Sequence, residues 1–348
     1  MPSVPTADPD STGAVHARAH PSLALVKYWG KRPGGTNIPA TSSLAVTLDA
    51  LSTDTVCRPA DEDSLEIDGR PQPPGRIAPF FDRVRETVRC DTRFAVSSRN
   101  SFPTAAGLAS SASGFAALAL ATVAAAGGDT TDRHALSALA RQGSGSASRS
   151  VFGGFTAWDA GATAARQLHD ERWWPELRIV VAPVHGGPKP VSSRDAMNLT
   201  RDSSPFYDAW VADAPALFQR AEAALDARDL ERLGTVMRES TMRMFATMLG
   251  AAPPILYWRP QTIEVLQRLA ELRRRGTAAW ETMDAGPQVK ILTTADDADA
   301  VAREVSPWCA TSPVISTVGG DACLVPGHEP RERDTGKRAG GSDRMNHT

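Results

Sequence analysis

The sequence predicts an α+β fold of two lobes, and three observations carry that prediction. The chain up to about residue 190 is strand-rich, with strands and turns over 15–58, the stretch after it reads as long amphipathic helices, and the stretch after residue 277 as strands again. That order suits two layered lobes meeting near residues 185–195. The 348 residues, 41% apolar and 22% charged, are enough for two ordinary domains with a substantial core.

The elements follow in order. Residues 23–29 (LALVKYW) and 42–51 (SSLAVTLDAL) read as strands, separated by a loop punctuated with Gly and Pro, GKRPGGTNIPA. Residues 76–89 place Ile77, Phe80, Phe81, Val84 and Val88 at helical spacing. Residues 93–99 form a short strand candidate. Residues 112–126 are an Ala-rich helix that stops at Gly127-Gly128, a C-cap signal. Residues 132–142 give a further helix, and 177–184 (LRIVVAPV) a buried strand. Helices are expected over 208–227, 229–249 and 260–275, the last with Pro260 at its first position. AAWETMDAG and VKILT read as two strands joined by a Gly-Pro turn. There is no internal repeat.

Composition excludes several function classes. A net charge of -2 gives no reason to expect nucleic acid or an anionic membrane as partner. The four cysteines, Cys57, Cys90, Cys309 and Cys323, are scattered without a C-x-x-C pair, which suits a reducing cytosol rather than a disulfide framework or zinc site. No window approaches the ~18 apolar residues of a membrane span. The expected division is a flexible tail over 1–15, an amino-terminal lobe over 16–188, a carboxy-terminal lobe over 189–325 and a polar, Gly-rich tail over 326–348.

Four stretches carry chemistry. FPTAAGLASSASGF, starting at Phe102, sets a small-residue turn and the pair Ser110-Ser111 at the head of the Ala-rich helix. A helix N-terminus attracts anions, small residues let backbone approach a polyphosphate, and the hydroxyls suit phosphate or Mg²⁺. The pattern is neither a Walker A loop nor G-x-G-x-x-G, and a Ser cap on a packed core helix explains it equally well. RQGSGSASRSVFGGF, residues 141–155, reads as a loop offering N–H groups, hydroxyls and one fixed guanidinium, Arg149, to an anion, and it tips the balance towards phosphate. LALVKYWGK puts Lys27 and Lys31 four apart around Tyr28-Trp29; for one such Lys the safer reading is a solvated charge. TMDAGP isolates Asp284 between Met283 and Ala-Gly-Pro. That residue is a turn former or, beside three polyanion-ready stretches, a catalytic base.

Taken together and in order, LALVKYWGK, SFPTAAGLASSASGFAAL, GSGSASRSVFGGF, GPKPVSSRDAMNLTRDSSPFY and TMDAGP resemble the diphosphomevalonate decarboxylases, a branch of the GHMP kinase superfamily, over residues 20–320. The resemblance implies a GHMP kinase fold: a ribosomal protein S5 domain 2-like amino-terminal lobe and a ferredoxin-like α/β carboxy-terminal lobe around a deep cleft. It implies an ATP- and Mg²⁺-dependent decarboxylation of (R)-5-diphosphomevalonate through phosphorylation of its 3-hydroxyl. It also implies a cytoplasmic homodimer. By the same resemblance Asp284 is the base, Arg149 holds the substrate carboxylate and steers the Asp, and Lys27 neutralises the transferring phosphoryl group. Tyr28, Lys31, Ser144, Gly145, Ser146, Ser193 and Arg194 surround the substrate. Pro103, Ala106, Gly107, Leu108, Ala109, Ser110 and Ser111 hold ATP, with Ser111 also at the metal. Three positions depart from the family pattern: Ser22 and Gln288 stand where it has Asn, and Phe245 where it has His. A kinase or decarboxylase for mevalonate or its 5-phosphate is the alternative within the superfamily, and an idle homologue acting as a scaffold the alternative outside catalysis.

Overall fold

A computed structural model of the chain describes residues 13–34, 37–102, 110–187 and 189–326. In chain order the strands are β1 (Val15–Ala19), β2 (Ser22–Val26), β3 (Ser43–Thr47), β4 (Thr53–Ala60), β5 (Ser64–Ile67), β6 (Arg70–Pro71), β7 (Arg93–Asn100), β8 (Phe155–Trp158), β9 (Arg166–His169), β10 (Leu177–Ala182), β11 (Trp280–Thr282), β12 (Val289–Thr294), β13 (Val314–Ser316) and β14 (Cys323–Leu324). The helices are α1 (Pro74–Val88), α2 (Ser110–Ala125), α3 (Arg133–Gly143), α4 (Ser193–Ser203), α5 (Tyr207–Asp226), α6 (Leu230–Leu249), α7 (Pro260–Arg274) and α8 (Ala298–Val305).

The strands form three sheets, ordered β14-β1-β4-β7-β5-β6, β2-β3-β8-β9 and β11-β12-β10-β13. Among the described residues the pairings are antiparallel except β5 with β7. A mixed fold was legible in the sequence, and the expected helices and strands appear within a few residues of their places. The expected tails over 1–15 and 326–348 fall largely outside the described residues, as do Pro103, Ala106, Gly107, Leu108 and Ala109.

Local chemistry explains the elements that place the site. α2 is apolar on every side, with Ala116, Ala117, Ala119 and Ala121 fully buried, as befits a helix inside a core. It packs on β1 and β4 and ends at Gly127, whose φ of +72° suits glycine. Helices α3, α4 and α6 are each started by a side chain that accepts a backbone N–H: Asp132, Ser192 and Asp229. The end of β2 is clamped from the helical side. Trp29 Nε1 donates to Thr200 Oγ1 (3.0 Å) of α4, and Trp210 Nε1 of α5 donates to the Trp29 carbonyl (2.8 Å). Gly30 lies at φ +108°, and a Cβ there would sit 2.1 Å from the Tyr207 hydroxyl, so the turn after Trp29 requires glycine.

One sequence expectation is corrected. Residues 141–155 are not an open loop: α3 continues to Gly143, and Gly145–Val151 is a 3₁₀ helix whose Ala147, Ser148, Arg149, Ser150 and Val151 are buried. Small side chains let this segment pack against α2, so Gly and Ser here serve close approach rather than flexibility.

Candidate active site

Asp284 follows β11 at the point where that sheet meets the end of β2. Its carboxylate is held by two lysines: Lys27 Nζ lies 2.8 Å from Oδ1 and Lys290 Nζ 3.1 Å from Oδ2. Lys27 also donates to the Ala24 carbonyl (2.9 Å), and its backbone N–H donates to Ser240 Oγ of α6 (2.9 Å). The ammonium has three donors, so among the described residues one is left for a ligand. Lys27 and Lys290 are 1% and 3% exposed, whereas the Asp284 side chain keeps 27% of its surface. The carboxylate is therefore the part of this cluster that faces outward. Burial opposes its charge, but Lys27 and Lys290 outweigh that and hold it well below the usual carboxylate range. Burial lowers Lys27 to about 8 against the pull of Asp284, with Lys290 and Arg149 adding to the fall.

A second group of cations and donors adjoins this cluster. Arg149, 2% exposed, donates from Nη1 to Ser43 Oγ (2.5 Å), while its Nε has no partner among the described residues. Burial lowers its pKa to about 10, opposed by the field of Asp284 and Tyr28. The guanidinium therefore acts on Asp284 through space rather than by a direct hydrogen bond. The Tyr28 hydroxyl is also buried without a partner among the described residues; burial raises its pKa, opposed by Arg149, Arg194 and Arg141. Buried donors without partners are uncommon in folded proteins and are explained when a ligand satisfies them. Lys31 is lowered to about 8 by burial and then by Arg194, and its Nζ donates to Asn37 Oδ1 (2.7 Å). Arg194 itself is exposed. Ser193 Oγ accepts from Lys189 Nζ (2.7 Å).

The 3₁₀ segment links this pocket to the head of α2. Ser144 Oγ lies 3.2 Å from Ser111 Oγ and 3.3 Å from Ser146 Oγ. A Cβ on Gly145 would meet the Tyr28 hydroxyl at 2.5 Å, so only glycine lets the segment approach that closely. Ser110 and Ser111 line a cavity of about 620 Å³ between the start of α2 and the β4–β7 side of the large sheet, with Leu65, Ile67, Phe115 and Leu118 supplying apolar wall. That size falls within the ~300–1,000 Å³ range of small-molecule sites. Close approaches thus run from the cavity through Ser111, Ser144 and Gly145 to Tyr28, which directly follows Lys27 in the chain.

Comparison with known proteins gives this arrangement its family. Residues 19–168 match the diphosphomevalonate decarboxylase-like N-terminal domain, and residues 179–324 match the mevalonate 5-diphosphate decarboxylase C-terminal domain. The chain belongs to the diphosphomevalonate decarboxylase family. The diphosphomevalonate decarboxylase of Eremothecium gossypii is 33% identical over 305 residues, 79% of this chain and 76% of the relative. A solved structure of MDDEF in complex with MVAPP, AMPPCP and magnesium superposes with a TM-score of 0.82 at 36% identity, covering 90% of this chain and 98% of that one. A structure of the mevalonate diphosphate decarboxylase from Enterococcus faecalis, concerned with its mevalonate diphosphate mediated ATP binding mechanism, gives a TM-score of 0.81 at 35% identity over the same shares.

The three departures from the decarboxylase pattern have distinct structural settings. Ser22 receives a hydrogen bond from Ser150 Oγ (3.1 Å) and lines a cavity of about 10 Å³ together with Asp284 and Lys290. Gln288 pins the start of the segment leading to α4: its Nε2 donates to the His185 carbonyl (2.5 Å) and its Oε1 accepts the His185 N–H (3.3 Å). Phe245 is a core residue of α6, 2% exposed, its ring 4.9 Å from that of Trp258.

Sequence reasoning missed three cations that the fold brings close to Asp284 or Tyr28. Lys290 breaks the otherwise apolar or hydroxyl-bearing run VKILTT of β12, and a lone charge in a buried strand is the signal that could have found it. Lys189 donates to Ser193 Oγ and is lowered by burial, opposed by Asp284. Arg141 is buried at the end of α3, with Nε on the Thr163 carbonyl (2.6 Å), and its field reaches Tyr28.

Proposed function

We propose that this chain converts (R)-5-diphosphomevalonate and ATP to isopentenyl diphosphate, ADP, phosphate and CO₂, by phosphorylating the 3-hydroxyl and then losing phosphate and CO₂ together. The observation that carries this reading is the outward-facing Asp284 carboxylate, pressed against Lys27 and joined through Tyr28, Gly145 and Ser144 to Ser111 at the head of a helix. A tertiary hydroxyl is a weak nucleophile. Asp284 orients it and takes its proton as the O–P bond forms. Lys27, whose third N–H is open, balances charge on the transferring phosphoryl group. Arg149, with Nε unpartnered, receives the substrate carboxylate. Tyr28, Lys31, Ser193 and Arg194, with Arg141, form a cationic pocket suited to a diphosphate, and Ser144 and Ser146 supply hydroxyls beside it.

ATP is assigned to the cavity at the head of α2, its phosphates towards Ser110 and Ser111 and the helix N-terminus. The Ser111 hydroxyl, exposed beside Ser144, fits a magnesium ion that retains water and phosphate oxygens, which would neutralise polyphosphate charge. The lobes are proposed to divide at residue 188, in the connection from β10 to α4. None of the described helices is long and apolar enough to cross a membrane. A cytoplasmic homodimer completes the proposal, and sedimentation of the purified chain would check the dimer. Relative rates of ADP formation on mevalonate, its 5-phosphate and its 5-diphosphate test the substrate: the diphosphate should dominate, and preference for either of the others would refute the assignment.

A further inference from the structure

Lys290 is a buried cation for which the proposed chemistry has no task. Its backbone sits in β12 between β11 and β10, opposite Thr282 on one side and Val181 on the other, so the main chain beneath it is held from both edges. Its neighbours Val289, Ile291 and Leu292 are buried and apolar, and packing would be served by another such residue. A lysine in that place is costly unless its charge is used. Its Nζ reaches Asp284 Oδ2, while Lys27, from the sheet of β2, reaches Oδ1.

We propose that Lys290 is a positioning residue for proton removal, fixing which oxygen of Asp284 faces the cleft and keeping a positive charge against the other. A carboxylate gripped by one lysine can turn about its Cβ–Cγ bond and exchange its oxygens. Gripped at Oδ2 from its own sheet, it presents Oδ1 alone. Lys27 can then exchange its contact with Oδ1 for an incoming phosphoryl group without Asp284 rotating or taking up a proton beforehand. The substrate proton passes to Oδ1, and Lys290 continues to hold Oδ2. Lys290, at 3% exposure, touches Asp284 directly, and its charge also bears on Lys27 and Lys189. The charged groups facing Asp284 are Lys27 after β2, Lys290 in β12, Arg149 in the 3₁₀ segment and Lys189 before α4. Removing Lys290 leaves three of these four, so the effect is graded and not a collapse of the site.

This inference rests on Asp284 being the base, and the test separates the two. The pH dependence of kcat/KM for diphosphomevalonate at saturating ATP is measured for the wild type, Lys290→Met and Lys290→Arg. Loss of an opposite charge within hydrogen-bond distance should move the acid limb of Lys290→Met upwards by about 1–3 pH units. Lys290→Arg should keep the wild-type limb, and the ATP KM should be unchanged in both. A Lys290→Met enzyme that turns over with the wild-type acid limb overturns the proposal, whatever its kcat. If that variant does not fold, Lys290→Gln carries the same expectation and the same refutation, since it keeps a donor without a charge. In parallel, the ¹³Cγ signal of Asp284, assigned by its loss in Asp284→Asn, is titrated in wild type and variant. A wild type without turnover would sink the functional reading, and this titration would still decide Lys290: a higher midpoint in the variant supports the proposal and an unchanged one overturns it.

Discussion

Asp284→Asn separates chemistry from architecture at this site. Asparagine keeps the shape of aspartate, so one lysine can still donate to its carbonyl, but the proton acceptor and the negative charge are gone. General-base catalysis contributes about 10²–10⁴ in rate, so kcat should fall by at least the lower figure while nucleotide binding at the head of α2 is retained. The charge loss also leaves Lys27 and Lys290 buried without their counter-ion. Removing one partner of a buried pair costs about 3–5 kcal/mol, and the 27% exposure of Asp284 argues for the lower end. With an unfolding entropy of about 2.1 cal/mol/K per residue, a chain of this size has roughly 0.7 kcal/mol/K, so about 3 kcal/mol lowers Tm by about 4–5 °C. The deficit should depend on pH. Without Asp284, Lys27 loses the attraction opposing its burial and its folded pKa drops further below about 8, against an ordinary value of 10.5. Its desolvation penalty is in full force below the folded pKa and fades as pH rises toward the unfolded one. The Tm gap between wild type and variant should therefore narrow from pH 6 to pH 9. Calorimetry across that range, with a CO₂-release assay and nucleotide titration, reads all three. Near-normal turnover in Asp284→Asn would refute the assignment of the base, and a gap that widens with pH would refute the electrostatic reasoning.

Arg149→Lys keeps the charge but loses the planar fork; kcat should fall severely in steady-state kinetics, and an unchanged rate would reduce Arg149 to a long-range charge. Phe245→His should leave the order of preference among mevalonate, its 5-phosphate and its 5-diphosphate unchanged. It should shift stability by about 1–2 kcal/mol, read by denaturant unfolding, because Phe245 is buried against Trp258. The basic limb of kcat/KM should begin near pH 8, where Lys27 and Lys31, both lowered to about 8 by burial, lose their charge in the free protein. The limb of kcat should lie higher, since bound polyanions favour the charged lysines; a flat profile to pH 10 would contradict the assignment.

Periodicity and punctuation placed six of the eight α-helices among the described residues, α2 because it is uniformly apolar and α7 because it starts at Pro260, but not the shorter α4 and α8. Short strands such as β5, β6 and β9 carry two to four residues and no distinctive pattern, and they form only through their partners in the sheet. The motif residues Lys27, Tyr28, Arg149 and Asp284 stood out by local context. What joined them did not. Asp284 looks isolated in sequence but meets Lys27 across 257 positions, and that contact exists only once two sheets have packed. Residues 141–155 misled because Gly and Ser mark both loops and tight packing, and only the closeness of Phe115 and Tyr28 to Gly143 and Gly145 distinguishes the two. Gln288 and Phe245 read as changes near a site, whereas one ties down the His185 backbone and the other fills core beside Trp258.

The most direct measurement is product analysis after incubation of the purified chain with ATP, Mg²⁺ and (R)-5-diphosphomevalonate. Equal amounts of CO₂, ADP, phosphate and isopentenyl diphosphate are expected, with none of them formed by Asp284→Asn above background. ADP formation with a stable phosphorylated acid and no CO₂ would make the chain a kinase, and absence of any ATP-dependent product from the wild type would contradict the proposed reaction outright.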